Sequence, residues 1–283
     1  MHSTFTQNDC TRSVRDSEFE LIKRLIYQKA GIFLKDHKKT LVANRLRKRL
    51  DTLGLDNYRD YYDYITQNPT GRHELSVFID CLTTNETFFF RYREQLDYLT
   101  QTILPERIVR KRRDEKIRVW SAGCSSGEEP YSIAILMNER FERNALDSME
   151  IVASDISQSA IEKAQLGAYR PYAVQRIQEP LKKKYFVKDT KSEDFQLNGE
   201  IQKRIRFFRH NLLEPFRQGK FDVVLCCNVL IYFDKESKNK AIANIFQSLK
   251  SDGCFLVGFS ESLMENMSQF AYIRPAVYRK MES

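Results

Sequence analysis

The stretch Val119-Trp120-Ser121-Ala122-Gly123-Cys124-Ser125-Ser126-Gly127-Glu128-Glu129-Pro130 carries the first residues whose types and spacing suggest chemistry. An apolar run enters a Gly/Ser loop whose small residues let the backbone approach a ligand, and acids open the helix expected after it. A phosphate-binding loop would present bare amides to an anion, usually as G-x-G-x-x-G or with a lysine. Here Glu128 and Glu129 stand where a pyrophosphate would lie, which repels a dinucleotide and suits a ligand carrying positive charge. S-adenosylmethionine, with an ammonium and a sulfonium, is such a ligand. Asp155 closes the next expected strand, where an acid can accept hydrogen bonds from both ribose hydroxyls. Asn211 and the strand end Cys226-Cys227-Asn228-Val229 would lie along the same carboxyl edge. Each element has a plainer reading: glutamates complement a helix dipole, and an Asp after a strand caps a helix. Their order on one sheet edge favours a nucleoside-cofactor pocket.

Two kinds of pattern must position these residues. From Ser17 to Leu82 the apolar spacing is helical. Phe19, Ile22, Leu25 and Ile26 form one stripe ended by Gly31. Leu41, Val42, Leu46 and Leu50 form a second, from His37 to Leu53, ended by Gly54. Tyr58–Thr66 and His73–Leu82 complete four helices, with a turn at Asn68-Pro69-Thr70-Gly71. From Ile117 the pattern alternates: strands at Ile117–Ala122, Glu150–Ser154, Phe221–Cys226 and Cys254–Phe259, helices at Glu128–Glu139, Ser157–Leu166 and Lys235–Leu249. That succession predicts a mostly parallel sheet with helices on both faces. Residues 168–207 break the rhythm. Tyr185–Lys188, Phe195–Leu197 and Ile205–Phe208 read as short strands of an inserted antiparallel subdomain.

Bulk properties narrow the classes. No apolar run approaches the roughly 20 residues of a membrane-spanning helix; Phe221–Phe233 is interrupted by Asp222 and Asn228, and the first residues carry no apolar signal. A cytoplasmic protein without membrane insertion is expected. The six cysteines show no C-x-x-C spacing and only four histidines accompany them, so neither a zinc site nor a disulfide framework is expected. A net charge of +8 favours an acidic partner.

Four ordered motifs add a resemblance. Thr83-Thr84-Asn85-Glu86-Thr87-Phe88-Phe89-Phe90-Arg91, Gly127-Glu128-Glu129-Pro130-Tyr131-Ser132, Asn228-Val229-Leu230-Ile231-Tyr232-Phe233 and Gly258-Phe259-Ser260-Glu261-Ser262-Leu263 closely resemble the chemotaxis protein methyltransferases, the CheR-type family, from about Ser17 to Lys280. The resemblance implies an α/β, Rossmann-like methyltransferase domain (86–283) with a small antiparallel β-subdomain (about 168–207) and an N-terminal all-α domain (17–85). It implies S-adenosylmethionine-dependent methylation of glutamate side chains in the cytoplasmic domains of chemoreceptors, by a monomer without a metal. By motif position, Asn85, Thr87, Arg91, Glu128, Asp155, Asn211, Asn228 and Val229 line the cofactor pocket with Gly123. Arg91 and Tyr232 stand nearest the transferred methyl. Two departures bear on the pocket: Tyr92 replaces an acid often found after the motif arginine, and Cys227 replaces an arginine often found before the Asn-Val pair.

Phe88–Phe90 reads as packing between the two domains, whereas Arg91, following an apolar run, needs an anionic partner or solvent. A carboxylate is already ionised at neutral pH, so no general base is needed to create the nucleophile. Arg91 and Tyr232 are expected to align it rather than transfer protons. The second helix is basic, with Lys35, Lys38, Lys39, Arg45, Arg47, Lys48 and Arg49 against Asp36. A solvated face would look the same. The family's use of this domain favours receptor docking, with Arg45 and Arg49 one turn apart as the contacts. A nucleic-acid methyltransferase would share the basic patch, but Asn228-Val229-Leu230-Ile231 lacks the Pro-Pro-aromatic portion common in base-modifying sites. A non-catalytic cofactor-binding adaptor is the other alternative. In the family this chain resembles, some members grip a receptor C-terminal tether and have a glycine-containing loop between the strands of the β-subdomain. The loop Lys188–Asp194 contains no glycine, so the resemblance implies recognition without a tether.

Overall fold

The computed structural model describes residues 13–68, 71–261, 263 and 269–281. The chain divides into two compact units after Thr83.

Among its described residues the first unit has four α-helices: α1 (Asp16–Ala30), α2 (Lys39–Leu53, entered by a 3-10 turn at Asp36–Lys38), α3 (Tyr58–Gln67) and α4 (Gly71–Leu82). The expected stripes are the buried ones. Phe19, Ile22, Leu25 and Ile26 of α1 and Val42, Leu46 and Leu50 of α2 are all buried, each worth about 1.5–3 kcal/mol of transfer free energy. Leu41 is the exception, only partly buried. Gly31 and Gly54 end α1 and α2 in the left-handed region, at φ 71° and 65°. Asn57 caps α3 by accepting from the Asp60 amide. The tyrosines of α3 are internal ties: Tyr58 donates to the Ala43 carbonyl at 3.0 Å, and Tyr61 to Glu74 Oε1 at 2.8 Å. Pro69 and Thr70 of the expected turn lie outside the described residues; Gly71 closes it by donating to the Asn68 carbonyl.

In the second unit, α5 (Arg93–Tyr98), a π turn (Leu99–Ile103) and α6 (Leu104–Arg110) precede the sheet. None of these gave a distinct sequence signal. The strands are β1 (Ile117–Ala122), β2 (Met149–Asp155), β3 (Ala168–Tyr169), β4 (Phe186–Lys188), β5 (Phe195–Leu197), β6 (Ile205–Arg209), β7 (Phe221–Cys226), β8 (Leu249–Val257), β9 (Phe270–Arg274) and β10 (Val277–Lys280). Seven form one sheet in the order β6-β2-β1-β7-β8-β10-β9. The pairs from β6 to β8 are parallel, and β10 pairs antiparallel with both β8 and β9. The parallel strands are joined by α7 (Glu128–Arg140) and α8 (Arg143–Asp147), by α9 (Gln158–Leu166) and by helices α10 (Pro171–Val174), α11 (Glu179–Tyr185) and α12 (Gly199–Gln202), with α13 (Lys235–Ser248) between β7 and β8. Two apolar clusters form the core: one includes Val119, Ile133 and Leu256, the other Trp120, Val224 and Ile245. The continuous burial of β7 is that of a strand covered on both sides.

One strand changes place. Ile205–Phe208, expected in the antiparallel insert, belongs to β6 and pairs parallel with β2 from Ile151↔Ile205 to Asp155↔Arg209. A short strand bounded by charges does not say which neighbour it will pair with. The small sheet takes its third strand from Ala168–Tyr169 instead, in the order β3-β5-β4. The phenylalanine run also differs from expectation. Phe89 is buried within the second unit, edge-on to Tyr169 at 4.8 Å and to Phe186 at 5.2 Å, so it anchors the small sheet.

Candidate active site

β1 lies between β2 and β7, and the chain leaves it in opposite directions, first towards β2 and β6 and later towards β7 and β8. A sheet of this kind opens a crevice outside its carboxyl ends at such a switch point. Gly123 stands there at φ 84°, a conformation that favours glycine. A Cβ on it would collide with Val229 Cγ2, beyond the end of β7.

Asp155 organises the β2 end. Its Oδ2 accepts the Ser125 amide at 2.8 Å and its Oδ1 the Ser157 amide at 2.9 Å. Ser157, not Asp155, caps α9, accepting from the Ala160 amide. Asp155 is 8% exposed, and each carboxylate oxygen has two lone pairs. Asn85 reaches the same place: its Nδ2 donates to Ser157 Oγ at 3.3 Å, and its carbonyl accepts from Ser125 Oγ at 2.8 Å. The segment holding Asn85 and partly exposed Thr87 is therefore fastened to the loops after β1 and β2. Asn211 shapes the turn after β6, its Oδ1 accepting the Leu213 amide at 3.1 Å.

The two acids that open α7 diverge. Glu128 is 4% exposed and takes the Ser126 hydroxyl at 2.8 Å. Burial pushes its carboxyl above the usual range, against the opposing pull of the Ser126 bond. Glu129 turns to β1, accepting from Ser121 Oγ at 2.7 Å, and burial raises it too. In both carboxyls it is burial that disfavours the charged form, which a cationic ligand nearby would favour. Buried acids, a close-approach glycine and an acid at the β2 end fit S-adenosylmethionine. Among the described residues no cluster of three His, Cys, Asp or Glu could hold a metal ion.

Arg91 is half-buried. Its guanidinium lies 5.5 Å from the Phe88 ring centre and 5.3 Å from that of Tyr92, and Nη1 donates to the Glu86 carbonyl at 3.2 Å. Among the described residues no carboxylate lies within ion-pair distance of it, while its charge acts on Glu129. The residue before Arg91 is fastened to α7: the Phe90 amide donates to Ser132 Oγ at 2.8 Å. Asn228 adopts φ 61°, its Oδ1 accepting from Tyr92 Oη at 2.8 Å. Tyr232 follows on a 3-10 turn, Leu230–Tyr232, partly exposed. Asn85, Gly123, Glu128, Asp155, Asn228 and Val229 thus gather on one carboxyl edge with Arg91 beside them.

Sequence reasoning missed Tyr92, Ser125, Ser157 and Glu261 as parts of this edge. Tyr92 stood out only as a departure, and Glu261 only as a motif letter; serines in turns give no signal of what their hydroxyls meet.

Arg45 and Arg49, the expected docking residues, are engaged inside the helical unit. Arg45 Nη1 donates to the carbonyls of Leu82 and Thr83 at 2.9 and 3.1 Å, at the end of α4. Arg49 grips Glu74 with two bonds of 2.8 and 2.7 Å. Of the lysines and arginines from Lys35 to Arg49, Lys35, Lys38 and Lys48 are the exposed ones.

Fold and edge together define the Rossmann-like class of S-adenosylmethionine-dependent methyltransferases. More narrowly, the chain belongs to the CheR family: residues 17–83 match the CheR methyltransferase all-alpha domain and residues 85–278 the CheR methyltransferase SAM binding domain. It is 37% identical over 276 residues to the chemotaxis protein methyltransferase of Borreliella burgdorferi, covering 95% of each chain. To chemotaxis protein methyltransferase 2 of Vibrio cholerae it is 36% identical, covering 91% of this chain and 89% of that one. To the Salmonella typhimurium chemotaxis protein methyltransferase it is also 36% identical, covering 94% and 91%. Among the described residues no helix is long and apolar enough to cross a membrane.

Proposed function

We propose that this chain methylates glutamate side chains in the cytoplasmic domains of chemoreceptors, giving a glutamate methyl ester and S-adenosylhomocysteine. The observation that carries this reading is Arg91: a half-buried guanidinium beside the pocket, held on two aromatic faces, with no described carboxylate in ion-pair reach. A substrate carboxylate would complete it through a charge-assisted, two-pronged hydrogen bond.

S-adenosylmethionine supplies an electrophilic methyl group on a sulfonium. Gly123 would admit its close approach, Asp155 and Asn85 would hold the ribose end, and Glu128, Asn228 and Val229 would complete the wall. Arg91 and Tyr232 align the attacking oxygen. No residue need remove a proton, because a glutamate is ionised at neutral pH. Opposite charges vanish along the reaction, so alignment outweighs charge stabilisation; good alignment is worth up to roughly 7–11 kcal/mol.

The helical unit would dock the acidic receptor helices through its lysines, Lys35, Lys38 and Lys48, while Arg45 and Arg49 hold its shape. Recognition is proposed to be independent of a receptor tether: the hairpin of the small sheet is closed on itself, with the Asp189 amide donating to the Asp194 carbonyl and Lys188 paired with Glu193 at 2.7 Å. Labelled methyl transfer to receptor-containing membranes, followed by alkaline release of methanol, tests the chemistry. Label that resists base would rule out a methyl ester. Titration with a receptor C-terminal peptide tests the second point, and tight binding would overturn it.

A further inference from the structure

Asn228 is held from two sides by residues far away in the chain. Tyr92 Oη donates to its side-chain Oδ1 at 2.8 Å, and its backbone amide donates to Glu261 Oε2 at 2.7 Å. The same Glu261 oxygen takes the Gly258 amide at 2.8 Å. Space there is fully used, since a Cβ on Gly258 would stand 2.7 Å from that oxygen and 3.2 Å from the Asn228 amide. Glu261 is 6% exposed.

Two residues of this bracket have left-handed backbones without being glycine, Asn228 at φ 61° and Tyr92 at φ 54°. Asparagine tolerates that region, but a bulky aromatic does so only where its surroundings hold it. Here the Tyr92 ring is fixed edge-on to half-exposed Phe259 at 5.0 Å, which aims its hydroxyl at Asn228. The next residue after Asn228 is Val229, whose methyl occupies the space over Gly123. A shift at Asn228 would therefore move the pocket wall.

We propose that Tyr92 and Glu261 are positioning residues that bracket Asn228, one through its side chain and one through its amide, and so hold the Asn228-Val229 corner in its ligand-binding shape. The proposal rests on reading this edge as the S-adenosylmethionine pocket.

The test is a double-mutant cycle read in the dissociation constant for S-adenosylhomocysteine, measured by calorimetry. Tyr92→Phe keeps the ring on Phe259 and removes only the hydroxyl. It should weaken binding about tenfold, the equivalent of roughly 1.4 kcal/mol, and have no further effect once Asn228→Ala is present. Packing alone would give the same loss in both backgrounds, and that result would overturn the proposal. Glu261→Gln keeps one acceptor oxygen for the Asn228 and Gly258 amides but turns an amide donor towards those of Leu230 and Ile231, so its binding should fall between wild type and Glu261→Ala. Glu261→Ala should lose about tenfold and, in the ligand-free protein, speed hydrogen exchange at the Asn228 and Gly258 amides. Unchanged binding and exchange in Glu261→Ala would remove Glu261 from the bracket. If the wild type binds no S-adenosylhomocysteine, the pocket reading and the bracket fall together; binding by wild type with an additive cycle removes the bracket alone.

Discussion

The Cγ2 methyl of Val229 fills the space that a side chain on Gly123 would need. The ends of β1 and β7 are thereby packed against each other at the point where a nucleoside ligand would enter the sheet edge.

Gly123→Ala should therefore abolish ligand binding while leaving the fold. It introduces a methyl at φ 84° and must push Val229 outward. S-adenosylhomocysteine affinity should fall more than about 100-fold, over ~2.7 kcal/mol. Far-ultraviolet circular dichroism should be unchanged. Retained affinity would show that the loop and Val229 yield easily.

Arg91→Ala should cut kcat/KM for methyl transfer about 100-fold, close to the worth of a two-pronged charged hydrogen bond. Because an ammonium cannot offer a carboxylate the two-pronged fork of a guanidinium, Arg91→Lys should rescue little. Near-normal turnover in Arg91→Ala would take this residue out of the mechanism.

Glu128 yields a prediction with two opposite signs. Burial raises its carboxyl in the folded protein, so its charged form is disfavoured by the fold. Its contribution to stability is present at low pH and lost as pH rises through the raised value. A cationic ligand needs the charged form. S-adenosylmethionine affinity should therefore fall as pH drops through that raised value. Glu128→Gln should make the ligand-free protein more stable at neutral pH and bind the ligand more weakly. Calorimetric titrations and melts of the same variant check both; a change of the same sign in the two would contradict the account.

In the helical unit, Arg49→Ala strands the Glu74 carboxylate, 6% exposed, with the Tyr61 hydroxyl as its remaining described hydrogen-bond donor. Removing one partner of such a pair costs about 3 kcal/mol, visible in urea unfolding. Lys48→Ala, at an exposed position, should leave stability within about 0.5 kcal/mol. It should instead weaken the salt dependence of the Michaelis constant for receptor, since exposed charges act through screened attraction. A salt response unaltered by Lys48→Ala would exclude that lysine from docking.

His210 sets part of the acid limit. Burial against Trp120 and Phe216 lowers its imidazole to about 4 from an ordinary 6.5. The fold favours the neutral ring, so this stabilisation is present above the ordinary value and lost as pH falls towards the lowered one. Melting temperature should fall through that window in wild type and less steeply in His210→Phe. Parallel curves would assign the acid limb to other groups.

The sequence by itself determined the four helices, the succession of parallel strands and the order of the acids along the sheet edge. Those depend on local period, caps and chain order: the α1 stripe and Gly31, the run into Gly123, and Asp155 at a strand end. Tertiary structure alone decided where β6 pairs, because a five-residue strand is claimed by whichever edge is open. It also decided the fate of the arginines. Charge on α2 is legible, but whether Arg49 meets solvent or Glu74 depends on how α2 and α4 pack. The bracket on Asn228 was equally hidden, since hydrogen bonds joining residues 92, 228 and 261 exist only once the chain has brought three distant segments to one edge.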